Sequence, residues 1–226
     1  MHSALLRLFC LGLIFASFLR AENWPTWRGP FGTGISPEKQ FPIKWSAKEN
    51  IRWRIPLAER GNSSPVVWGD KVFITQSIGK TKSRQLICFN RADGKTLWTR
   101  SVKHTEMELT HRTNPFCSAS PVTDGVRVIV SHASAGMFCY NMDGKELWRR
   151  NLGEQRHIWG NGVSPVIYKG LCILNFGPGR RTFLIAGLAA PMLARRGRAA
   201  DDTLRLRELY EKDLSFSALA RDLEGE

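Results

Sequence analysis

The chain has 226 residues, a formal net charge of +13, eight tryptophans, twenty glycines and eleven prolines. That composition excludes a plain helical bundle and favours a turn-rich β fold, one sizeable domain or one domain with an appendage. The basic residues of 1–178 are scattered rather than clustered, and no helix-turn-helix or RNA-recognition pattern occurs, which excludes nucleic acid as a partner.

Residues 1–21 read as a secretory signal peptide. A short basic start at Arg7 precedes an apolar core from Leu8 to Phe18, and Ala21 suits the residue before a cut. The core is too short to span a bilayer comfortably. The mature chain is therefore expected to be exported, periplasmic or extracellular, without a transmembrane span.

From Asn23 onward the sequence repeats itself. "SPVVWGDKVFI" (Ser64–Ile74), "SPVTDGVRVIV" (Ser120–Val130) and "SPVIYKGLCIL" (Ser164–Leu174) align without gaps. Each has Ser-Pro, a β-type run, a turn and an apolar triplet, the pattern of a hairpin. The first two units are followed by a second hairpin. "QLICFN" leads through "RADGKTLWTR" to Trp98, and "GMFCYN" leads through "NMDGKELWRR" to Trp148. Gly94 and Gly144 occupy the Asp-Gly turns. Two hairpins give four short strands, the content of a propeller blade. Trp53, in "NIRWRIPL", reads as the same blade-end tryptophan on a lead-in strand. The separations from Trp53 to Trp98 and from Trp98 to Trp148 are both blade-sized. A flat ring suits the wedge between twisted sheets, so these tryptophans are expected in the core.

Residues Cys88–Trp98 and Cys139–Trp148, the three Ser-Pro units, the opening "NWPTWRGPFGTGIS" and "HIWGNGVSPVIYKGLCILNFGPG" together resemble the PQQ-like β-propeller repeat family. The resemblance covers roughly Asn23 to Ala186. It implies an all-β fold for residues 22–186, an incomplete propeller of about three four-stranded antiparallel blades. It further implies a non-enzymatic binding or scaffold module, with an envelope protein or a glycan as partner. The alternative is the remnant of a PQQ-dependent quinoprotein oxidoreductase, and only that reading calls for pyrroloquinoline quinone and calcium. The chain has no adjacent Cys-Cys pair and no evident carboxylate set for the metal. An incomplete ring leaves blade edges unpaired, which points to self-association.

Cys88 and Cys139 stand at equivalent positions and read as small apolar fillers, with a disulfide left open. Cys172 reads as core, and Cys117 is the one with a loop-like setting. Two polar loops separate the repeats. His104–Ser120 carries His111, Arg112 and Asn114, and Gly153–Gly162 carries His157 and Asn161. These five residues are the candidate binding set, on loops expected to share one face of the propeller. The competing reading is that they hydrogen-bond to nearby backbone and brace the loops.

After the third Ser-Pro unit, "RTFLIA" begins the next strand, but no Asp-Gly turn follows and no tryptophan occurs beyond Trp159. "RRTFLIAGLAAPMLA" instead resembles a twin-arginine export signal. Residues 179–200 carry five arginines and no acid, whereas 201–226 carry four basic and eight acidic residues. Residues 187–226 are thus expected to lie outside the propeller. They would form a helical or poorly ordered tail with a helix over Asp202–Lys212, the product of a fusion, a frameshift or divergence.

Overall fold

A computed structural model describes residues 22–39, 41–105, 108–155, 157–176 and the strand 182–186. The leader 1–21, the arginine pair before Thr182 and the tail 187–226 with its expected helix lie outside the described residues. No helix among the described residues is long and apolar enough to cross a membrane.

Three antiparallel sheets follow one another along the chain. The first is β1 (Val66–Trp68), β2 (Lys71–Ile78), β3 (Ser83–Asn90) and β4 (Thr96–Lys103), and the second is β5 (Val122–Thr123), β6 (Arg127–Ser131), β7 (Met137–Asn141) and β8 (Glu146–Arg150). The third has β9 (Val166–Tyr168), β10 (Leu171–Asn175) and β11 (Thr182–Ala186). Each sheet is a meander in sequence order, the arrangement that consecutive hairpins dictate. The incomplete propeller of four-stranded blades is therefore the fold, and the "RTFLIA" run does form a strand.

The register repeats with the sequence. Phe73 pairs with Cys88 and Cys88 with Trp98, while Ile129 pairs with Cys139 and Cys139 with Trp148. In the third sheet Ile173 pairs with Leu184. Side chains alternate across each strand, so every sheet has two apolar faces. Phe73, Leu86 and Cys88 of the first sheet pack with Val128, Val130, Phe138 and Tyr140 of the second. Val122, Ile129, Met137 and Cys139 of the second pack with Cys172, Leu174 and Phe176 of the third. The opposite face of the first sheet holds Val72, Ile74, Ile87 and Phe89 under Trp53 and Ile55. The core is thus a series of layers between successive sheets.

Two recurring contacts set the spacing of the sheets. The first joins an indole to a glycine turn. Trp53 Nε1 donates to the Arg91 carbonyl at 2.9 Å, and Trp98 Nε1 donates to the Met142 carbonyl at 3.1 Å. Each ring lies against the glycine just beyond its acceptor. A Cβ on Gly94 or Gly144 would stand 2.8 Å from the Trp53 or Trp98 ring, and both glycines have positive φ, 75° and 81°. Only glycine meets both demands. The second contact is a serine relay. Ser64 N–H donates to Ser120 Oγ at 2.8 Å, and Ser120 N–H donates to Ser164 Oγ at 2.9 Å. The Ser-Pro unit therefore links each inner strand to the next.

The lead-in segment differs from expectation. Residues 50–57 carry no strand, because no strand among the described residues lies beside them to complete a ladder. Trp53 nevertheless occupies the place the repeat assigns it. Further upstream, Trp24 pairs with Val67 through two backbone hydrogen bonds of 2.8 and 2.9 Å, which covers the inner edge of the first sheet.

Gly144→Ala should lower the unfolding free energy by more than Gly170→Ala, measured by denaturant titration. Both glycines have positive φ, but a Cβ at Gly170 meets nothing within 4 Å. The Gly170 variant then reports backbone strain alone, about 1–2 kcal/mol, and the excess at Gly144 reports the collision with Trp98. Ser120→Ala should cost about 1 kcal/mol by removing the acceptor of the Ser64 N–H.

Candidate functional site

The two polar loops meet. Asn114 Nδ2 donates to the Trp159 carbonyl at 2.6 Å, and the His111 and Trp159 rings lie 5.0 Å apart at 60°. Gly160 fits because a Cβ there would stand 2.7 Å from Thr110 Oγ1. His111 closes a tight turn on Asn114, whose N–H donates to the His111 carbonyl at 2.9 Å. His111 Nδ1 also lies 2.7 Å from Thr113 Oγ1. Asn62 Nδ2, in the segment before β1, donates to the Thr113 carbonyl at 2.8 Å.

Of the five candidate residues, His111 and Asn114 thus come together with the second loop. His157 and Asn161 act locally: His157 Nδ1 accepts the Trp159 N–H at 3.3 Å, and Asn161 Oδ1 accepts the Val163 N–H at 2.9 Å. Arg112 is exposed at the tip of the turn. These polar groups stiffen the loops, and the rigid loops hold apolar groups outward. Leu109 is 52% exposed, Ile158 65% and Trp159 56%. A tryptophan held this far into solvent by its own backbone and a neighbouring ring is the kind of group that anchors protein contacts.

Beneath the first loop lies a buried polar cluster that the sequence reading missed. Arg84, on β3, forms an ion pair with Glu108, and both side chains are nearly inaccessible. Arg84 also donates to the His132 carbonyl, and its guanidinium sits 4.7 Å from the Phe116 ring. Cys117 Sγ lies 3.6 Å from His132 Nδ1. A cleft of about 320 Å³ opens beside Arg84, His104, Glu108 and Phe116. The one available signal was Arg84 itself, a lone charge in the strand "SRQLICFN".

This cluster is poised for structure rather than nucleophilic chemistry. Burial pushes the Cys117 thiol up to about 12. Burial, then the Arg84 charge, pulls His132 down to about 3. A protonated thiol beside a neutral imidazole is not the activated pair that covalent catalysis uses. Cys88, Cys139 and Cys172 are likewise buried, unbridged and pushed up to about 12 by burial. Among the described residues no three His, Cys, Asp or Glu side chains are grouped to hold a metal ion.

Two outcomes follow for the cluster. Glu108→Ala leaves the Arg84 charge buried without its partner and should cost about 3–5 kcal/mol of unfolding free energy. His132 is neutral in the folded chain down to about 3, whereas an unfolded histidine takes up a proton near 6.5. Between those values the unfolded state binds more protons, so stability falls as the pH drops below about 6.5. His132→Gln should flatten that slope, as read from thermal midpoints across the acid range.

Solved structures share the architecture in part. BamB from Moraxella catarrhalis is 19% identical over 54% of this chain and 33% of its own, with a TM-score of 0.38. Quinohemoprotein alcohol dehydrogenase ADHIIG from Pseudomonas putida HK5 is 14% identical over 73% of this chain and 25% of its own, at 0.45. A europium-containing methanol dehydrogenase is 9% identical over 51% and 20%, at 0.36. The chain therefore spans a third or less of each of these proteins. No curated protein matches it. The family model described as Outer membrane protein assembly factor BamB matches residues 43–176, more than half of the chain. By that match, and by its Ser-Pro and Asp-Gly…Trp repeats, the chain belongs to this PQQ-like propeller family.

Proposed function

We propose that the chain is a module of an exported PQQ-like propeller that binds an envelope protein through its loop face, without catalysis. The observation that carries the reading is the exposed trio Leu109, Ile158 and Trp159, held on loops braced by His111, Asn114, His157 and Asn161. Rigid aromatic anchors lower the ordering cost of association. Arg112, exposed beside them, adds a directional donor at the rim. Two further points support the reading: burial holds the Cys117 thiol protonated beside a neutral His132, and the family description names an assembly factor.

The test pairs a binding arm with a quinone arm. Immobilised chain exposed to envelope extract should retain a protein that Trp159→Ala retains about tenfold less, with Arg112→Ala intermediate; a tenfold loss corresponds to about 1.4 kcal/mol. Release of the retained material by glycosidase rather than protease would move the assignment to a glycan. A saturable absorbance change with pyrroloquinoline quinone and calcium, together with dye-linked alcohol oxidation, would overturn the non-enzymatic reading in favour of an oxidoreductase remnant.

A further inference from the structure

The two ends of the sheet series are complementary. At the leading end, Ile51–Ile55 alternates as an outer strand does. Ile51, Arg52 and Arg54 are exposed, and Trp53 and Ile55 are half-buried on the first sheet. The outer strand β4 shows the same sequence of exposure over Thr96–Arg100, with Trp98 in the place of Trp53. The lead-in thus has the alternation of an outer strand and is already seated on the sheet it should precede, with no strand beside it among the described residues. At the trailing end, the third sheet has no fourth strand among the described residues, and β11 pairs only with β10.

Among the described residues the trailing face has no cover either. Val66 and Val122 are 0% exposed because the next sheet packs on them, whereas the equivalent Val166 is 45% exposed. Phe73 and Ile129 are likewise buried, and the equivalent Ile173 is only half-buried. What covers Val66 is Val128, Val130, Phe138 and Tyr140 of the second sheet. By the repeat alignment, the same face on the first sheet is Val72, Ile74, Ile87 and Phe89, the face that carries Trp53. The missing cover for the third sheet therefore has the chemistry of this chain's own leading end. The two ends cannot meet within one chain, because the sheets lie in a row with the first in contact with the second and the second with the third.

We propose that the chain self-associates head to tail: the leading end of a second copy docks on the trailing face of the third sheet, and its Ile51–Leu57 becomes that sheet's fourth strand. The register is set by the other two sheets. Cys88 faces Trp98 and Cys139 faces Trp148, and Leu184 holds the equivalent place on β11. Trp53 of the second copy therefore falls opposite Leu184, and its Arg54 opposite Phe183, as Arg149 falls opposite Phe138. The contact is heterologous, so it closes into a ring or extends into a chain. Backbone hydrogen bonds supply affinity, and the apolar face supplies register.

The experiment is sedimentation of the 226-residue chain over a concentration series, followed by cross-linking. Wild-type chain should associate with rising concentration. Val166→Arg, at a site already partly exposed in the single chain, should weaken association about tenfold or more while leaving the thermal midpoint unchanged. A mixture of Arg54→Cys and Phe183→Cys chains should give a disulfide-linked pair on mild oxidation. A mixture of Arg52→Cys with Phe183→Cys should give much less, because it is out of register. A monomer at every concentration would overturn the proposal, as would equal cross-linking by both mixtures. Association that appears only after residues 187–226 are removed would also overturn it, by showing that the chain's own tail occupies the edge.

Discussion

The seating of an indole on a glycine turn is the constraint on which the rest of the molecule depends. Each sheet is twisted, so two neighbours leave a wedge at their outer rim. The outer-strand tryptophan fills that wedge with a flat ring. It can do so only where the facing backbone carries no Cβ and turns a carbonyl toward the indole N–H. Arg91 with Gly94, and Met142 with Gly144, meet both conditions. Between the first and second sheets, the seating of Trp98 on Gly144 sets the spacing of the layer packed between them.

Local and repeated features of this fold were legible in the sequence, and features that depend on a neighbour were not. The gapless Ser-Pro units and the Asp-Gly turns specify β1 to β10 because hairpin register is set within a few residues. The equivalence of Cys88 and Cys139 could be read from alignment and reappears as identical pairing with Trp98 and Trp148. The lead-in around Trp53 has the alternation of a strand but not its hydrogen bonds, since alternation belongs to the segment and a ladder belongs to two. Likewise, Arg84 and Glu108 lie 24 positions apart, and no periodicity connects a mid-strand charge to a loop carboxylate. The loop residues His111, Asn114, His157 and Asn161 were recognisable as polar and clustered. That their bonds run to backbone, leaving Leu109, Ile158 and Trp159 as the outward groups, emerges only when both loops are placed.

The buried ion pair bears on the loop face above it. The Arg84–Glu108 pair anchors the root of the loop whose far end carries His111 and Asn114. Cys117 and Ala119, where the loop returns to the sheet, both accept from Thr75 Oγ1, at 2.8 and 2.9 Å. The loop is therefore held at both ends by groups shielded from water, where hydrogen bonds and charges act strongly. For the proposed binding face, such supports favour selective over adaptable recognition.

The serine relay gives the sheet series a direction. Ser64 sends its N–H forward to the Ser120 hydroxyl, and Ser120 sends its own forward to the Ser164 hydroxyl. A chain made from its N-terminus therefore leaves the ribosome with one donor always waiting for the sheet still to come. The second sheet satisfies the donor of the first and presents one to the third. The relay thus has a polarity, and a second sheet placed upside down would leave the Ser64 and Ser120 donors without these acceptors.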